Sequence, residues 1–198
     1  MRRTSVRIAA ATVLTAALAV TGLSGSALAA GTTTTAPSGN LVVQEDNTFL
    51  QNAASNGVIA IALPNATPGF STSTGFSATF PVTGGAVNLN GFYGNVQLGG
   101  GLLLVNVTNG HTVIFNNLAF NADQWSFTGV PLGQSTAVKL FDPARPVITA
   151  KGTTQTLQSS DLEIDAQGAS YADTNLGTTF FTARQHAGTG VLTFTAGS

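Results

Sequence analysis

His111 and His186 are the only imidazoles in the 198-residue chain, and cysteine is absent. Nucleophilic hydrolysis needs a hydroxyl or thiol held by a base and an orienting acid. Asp123, Asp142 and Asp173 have the right chemistry to orient a histidine, but no spacing ties one of them to either ring. No G-x-S-x-G elbow occurs beyond residue 29. His111 follows the turn signal Asn109-Gly110, and His186 lies in Arg184-Gln-His-Ala-Gly188, ahead of the last strand. Both are expected as polar residues at loop edges. A structural zinc site needs about four ligands, which two histidines without cysteine do not supply.

Asp161, Glu163 and Asp165 form the one acidic cluster. On a strand, residues i, i+2 and i+4 share a face, so Leu162 and Ile164 would point inward and the carboxylates outward. Calcium takes oxygen ligands of this kind. A flat row seldom wraps an ion, however, and there is no EF-hand glycine at the sixth position. The row is expected as a solvated face, with no metal. A retaining glycosidase needs two carboxyls about 5 Å apart in a cleft. Neighbours i and i+2 reach that distance, yet nothing in the sequence marks a cleft around them.

Gly99-Gly100-Gly101 invites a phosphate-loop reading. Such a loop presents converging N–H groups at a helix N-terminus, usually with a lysine. Here Leu102-Leu-Leu-Val105 follows and no lysine is near. The glycines are expected as a hairpin turn between two strands, and Asn109-Gly110 as a second, type I′ turn. Twelve Phe with Trp125, Tyr93 and Tyr171 supply the large rings, and most must be core. Tyr93 with Trp125 is the pair to watch for sugar or polymer binding. The ligand candidates are therefore Tyr93, Trp125, His111 and His186, and no cofactor is expected.

The elements that must position these residues read mostly as strands. Phe76–Phe80 ends at Pro81, which is expected to close a strand or mark an edge. Phe92–Leu98 alternates with period two. Leu102–Val107 is almost wholly apolar and reads as a central strand covered on both faces. Thr112–Phe120, Trp125–Phe127, Ala137–Phe141, Val147–Ala150, Thr154–Ile164 and Val191–Thr195 complete the set. Many short strands joined by Gly, Asn and Pro turns predict an all-β fold, an antiparallel β-sandwich or a barrel-like form of it. Asp46 or Asn47 caps a short helix running to Asn56, with Gly57 just past its end. Gln167–Asn175 reads as a second one, closed by Gly177. Both are expected to cap open ends of the sheet.

Composition narrows the compartment. Arg2, Arg3 and Arg7 precede an apolar, Ala-rich stretch and the cleavage motif Ala27-Leu-Ala29. Residues 1–29 therefore read as a signal peptide cut after Ala29. The Arg2-Arg3 pair lacks the apolar residues of a twin-arginine signal, which favours general secretion. The remaining 169 residues suit one domain at 41–198, preceded by a flexible Thr-rich linker at 30–40. After cleavage only Lys139, Arg145, Lys151 and Arg184 stand against eight acids. That balance leaves no footprint for nucleic acid or anionic lipid. Charged residues are 8% of the chain, so solubility rests on hydroxyls and amides, and stability rests on packing without disulfides. Asn65-Ala-Thr67 and Asn106-Val-Thr108 fit the glycosylation acceptor, which a bacterial-style signal makes uninformative.

The order of several short stretches resembles a family of uncharacterised secreted actinobacterial all-β proteins. The matching residues are Phe49-Leu-Gln-Asn-Ala-Ala-Ser-Asn-Gly-Val58, Pro64-Asn-Ala-Thr67, Thr79-Phe-Pro-Val-Thr-Gly-Gly85, Gly99-Gly-Gly-Leu102, Gly177-Thr-Thr-Phe-Phe-Thr-Ala-Arg184 and Gly190-Val-Leu-Thr-Phe194. They span most of the chain beyond the signal. The resemblance implies an all-β fold with a small helix near each end. That family is in turn distantly similar to HtaA-type domains, which bind haem through Tyr and His. Here Gln97-Leu98 stands where the family often has a histidine before the glycines, and no tyrosine matches the haem-binding segment. The expected role is a non-catalytic binding or structural module at or beyond the cell envelope, with an unknown extracellular partner. The alternatives are a carrier of haem or another apolar small ligand, and a secreted hydrolase.

Overall fold

A computed structural model describes residues 35–198. The stretch read as a signal peptide, residues 1–29, and the start of the Thr-rich stretch lie outside those residues. The chain runs β1 (Ser38–Glu45), α1 (Asn47–Ser55), β2 (Val58–Ala62), β3 (Thr67–Ser71), β4 (Gly75–Asn88), β5 (Tyr93–Leu98) and β6 (Leu102–Asn106). It continues β7 (Thr112–Asn121), β8 (Ser126–Pro131), β9 (Val138–Lys151), β10 (Thr154–Ile164), α2 (Ala166–Leu176) and β11 (His186–Thr195). Strands β7-β5-β4-β1-β11-β10-β9-β8 pair in that order, and β7 also pairs β8, so eight strands close into an antiparallel barrel. The all-β architecture with two short helices is thus realised in its barrel-like form. Closure satisfies the sheet edges that an open sheet would expose. Outside the ring, β6 and then β2 extend from β7, and β3 pairs with β4.

Inward residues follow the strand period, with one informative slip. On β7, Val113 and Phe115 are buried, then Leu118 and Phe120. The pattern shifts by one residue because the register with β8 slips between Asn116 and Ala119, where Asn117 takes φ 49°. The bulge re-aims the second half of the strand so that both halves face the core.

Several expectations are corrected. Gly99–Gly101 is not a hairpin turn, because β5 and β6 do not pair with each other. Both pair with β7, at Ala119–Asn121 and at Thr112–Phe115 respectively. The glycines are a jog between two collinear strands. Gly100, at φ 89°, also lets the β2–β3 connection come close, since a Cβ there would lie 2.8 Å from the Ala66 backbone nitrogen. Asn109-Gly110 is not a two-residue type I′ turn either. Gly110 has φ 77°, but Asn109 keeps a negative φ, and the Gly110 N–H donates to the Asn106 carbonyl across a longer loop. Pro81 does not end its strand. It sits inside β4 where pairing passes from β1 (Asn40 opposite Pro81) to β5 (Leu98 opposite Val82), a handover followed by a register shift. β6 is flanked by β2 and β7 but is only partly covered on its faces. The Thr-rich stretch ends earlier than read, as β1 begins at Ser38 and pairs with β11 from there.

Both helices form where the caps place them. The Asp46 carboxylate accepts from Phe49 N–H (2.7 Å) and that of Asp165 from Gln167 N–H (2.6 Å). Each satisfies an orphan donor at a helix start. α2 lies directly on β9, because Gly168 has no Cβ to meet the Lys139 carbonyl, which it would approach to 2.6 Å.

Candidate functional site

The β4–β5, β7–β8 and β9–β10 turns gather at one end of the barrel, and the helices with the β3–β4 and β6–β7 turns at the other. The hairpin end is filled. Leu89, Val96, Phe120, Leu157, Leu192 and Phe194 are all buried to 1% exposure or less. Trp125 closes that end, with its ring 5.5 Å from Phe120 and 4.9 Å from Phe92, and its Nε1 donating to the Pro143 carbonyl (3.1 Å).

The helical end is hollow. A cavity of about 550 Å³ runs inside the barrel wall beneath α1 and α2. That lies within the size range of small-molecule sites, roughly 300–1,000 Å³. Its wall is almost entirely aliphatic and aromatic, including Phe80, Leu104, Phe115, Phe127 and Leu140. The cavity reaches the surface between α1, β2 and β4, where Ile59 and Phe76 remain 44% and 52% exposed. Phe70 of β3 stacks on Phe76 at 4.9 Å and extends that apolar rim.

Among the described residues one ionisable residue lines this cavity, Glu45. Leu41, Val43 and Glu45 succeed one another at period two on β1, so Glu45 continues their face at the strand's partly exposed end. It makes no hydrogen bond or ion pair to any described residue, and burial alone pushes its pKa above the usual carboxylate value. Glu45 also borders a smaller outer recess shared with Gln44, Asp46, Thr74 and His186.

The residues singled out from the sequence lie elsewhere. His186 Nδ1 sits 2.6 Å from Asp161 Oδ1 on the outer wall, and no hydroxyl bonds to that ring. Glu163 pairs in register with both His186 and Asp142. Asp165 is the α2 cap rather than a strand residue, and burial with the neighbouring Asp165 raises the pKa of Asp142. Among the described residues no three His, Cys, Asp or Glu side chains gather as metal ligands would. His111 is exposed beside the α2 C-terminus. Tyr93 is exposed on β5, its hydroxyl accepting from Asn88 Nδ2 (3.2 Å). Tyr93 and Trp125 therefore flank the filled end, away from the cavity.

Haem would need an axial ligand, and its two propionates favour basic partners. Among the described residues no Tyr, His, Cys or Met lines the cavity, and the one ionisable residue there is Glu45. Tyr171 packs on Phe115, and its hydroxyl accepts from Gln134 Nε2 (3.0 Å). The residues present do not fit haem.

The cavity itself was hidden in the sequence, since its lining is drawn from twelve separate elements. Glu45 did leave a signal. An acid that continues the apolar phase of a strand is a misfit worth following.

No protein-family model matches this chain, and no curated protein matches it. Among solved structures, the fold is similar to the C-terminal domain of HtaA from Corynebacterium glutamicum. That likeness has a TM-score of 0.53 at 10% identity and covers 83% of this chain and 99% of that domain. At that identity the likeness shows the fold and carries no ligand across. The distant similarity to HtaA-type domains read from the sequence is a similarity of barrel architecture.

Proposed function

We propose that this protein is a non-catalytic binding module of the extracellular side, which takes an elongated apolar molecule into the helical end of its barrel. The observation that carries this reading is the apolar cavity with its surface mouth at Ile59 and Phe76. A stable barrel of this size gains by filling its interior, because interiors pack as densely as organic crystals. A hollow half beside a filled half is the pattern of a site kept for a guest. The signal-like N-terminus supports an exported location. The Asp161–His186 pair, without an attached nucleophile, supports binding over hydrolysis.

The test is uptake of an environment-sensitive apolar probe, N-phenyl-1-naphthylamine, by the purified exported protein. Saturable binding is expected, and Ala78→Phe, which places a ring in the cavity, should abolish it while circular dichroism stays unchanged. Probe uptake unaffected by that substitution would refute the cavity as the site. Turnover of ester, glycoside or peptide substrates that is lost in His186→Ala would refute the non-catalytic role.

A further inference from the structure

We infer that the guest carries a protonated amine at one end of its apolar body, held by Glu45. This rests on the proposed function and names the chemistry of its ligand. Among the described residues the cavity lining contributes one ionisable group, Glu45 at the end of β1, which is partly exposed and also borders the outer recess. Gln51 and Thr128 are the other polar side chains along the lining. A carboxylate partly withdrawn from water without a counter-charge loses solvation in proportion to its burial, and a cation beside it offsets that loss. Glu45 has no partner among the described residues. The basic residues Lys139, Arg145, Lys151 and Arg184 all lie outside the cavity lining.

The charged neighbours agree. Asp46 follows Glu45 in the chain, and its carboxylate is engaged at the α1 cap. His186 shares the outer recess and is paired with Asp161. No elements packed around the cavity (α1, β2, β4, β11 and α2) add a second charge to its lining. The upward pKa of Glu45 has burial as its cause, with no charge compensating it. A ligand ammonium seated there would supply the missing partner through a charge-assisted hydrogen bond. An anionic amphiphile, such as a fatty acid at neutral pH, would meet only repulsion. A neutral alcohol would bind through its chain alone.

The experiment compares dodecylamine, dodecanol and dodecanoate, each below its micelle concentration, by calorimetry on the exported protein. The amine is expected to bind roughly tenfold or more tighter than the alcohol at neutral pH, with dodecanoate weakest. Glu45→Gln should bring amine and alcohol to the same affinity. In the unaltered protein, lowering the pH to about 4, near the ordinary carboxylate range, should shrink the amine preference as Glu45 takes up its proton. That second arm stands even if the variant folds poorly. Equal binding of amine and alcohol at neutral pH, or tightest binding of dodecanoate, overturns the amine inference and leaves an apolar carrier. Binding of none of the three, together with no probe uptake, overturns the carrier reading as well.

Discussion

The two ends of the barrel use the same residue types for opposite purposes. At the hairpin end, Phe120, Val96, Leu89 and Phe194 fill the space between the walls, and Trp125 seals it. At the helical end, Phe80, Phe115, Leu104 and Leu140 belong to the same buried cluster but also line the cavity. The two ends are also built from different elements. At the helical end the wall is extended by β2 and β3, which lead away from the ring on different neighbours. The helices span that wider end, and small residues such as Gly168, Ala169 and Ala172 bring α2 close without filling the interior. The lesson is that hydrophobic content does not predict packing density. Whether facing side chains meet decides it.

Substitutions can break or sharpen this contrast. The largest effect is expected from Phe120→Ala in the filled end, a loss of about 3–5 kcal/mol in urea unfolding. Leu104→Ala in the cavity wall should cost less, about 2 kcal/mol, because that side chain already lacks partners on one side. Equal losses would mean that both ends are equally packed. Adding volume should reverse the ranking. Val96→Phe should destabilise by about 1–3 kcal/mol through overpacking, whereas Ala78→Phe should change stability by less than about 1 kcal/mol.

Glu45 allows a test through pH. Its folded pKa lies above the ordinary value, so the folded state holds the proton more readily than the unfolded one. Stability from this group is present at low pH and is lost as pH rises through the raised value. Glu45→Gln should therefore raise the melting temperature relative to the parent protein at neutral pH, with the gain vanishing in acid. A gain independent of pH would remove Glu45 from the cavity environment. The smallest effect is expected outside the barrel. Asp165→Asn keeps the α2 cap and removes the neighbour that raises Asp142. Stability should stay within about 0.5 kcal/mol, while the Asp142 carboxyl titrates at lower pH by NMR.

Legibility differed by element. Both helices could be read because their signals are local: Asp46 and Asp165 as caps, Gly177 as the terminator. The β class was legible from period two. The hairpin reading of Gly99–Gly101 failed because glycine reports a permitted backbone and not which strands pair. Pro81 misled in the same way, since its cost depends on where β4 changes neighbours. Of the candidate residues, Asp161 and His186 come together across 25 positions by strand register alone, and no spacing rule foretells that.

The amino-acid sequence by itself determined an antiparallel β protein with two capped helices, poor in charge and free of cysteine. Local propensities and a period of two are properties of neighbouring residues, so they survive without knowledge of the fold. Only the tertiary structure decided that the sheet closes, that a cavity opens at one end and not the other, and that Glu45 lies on its lining. Those outcomes depend on which residues meet across the barrel, and the meeting is fixed by register, bulges and turn length acting together.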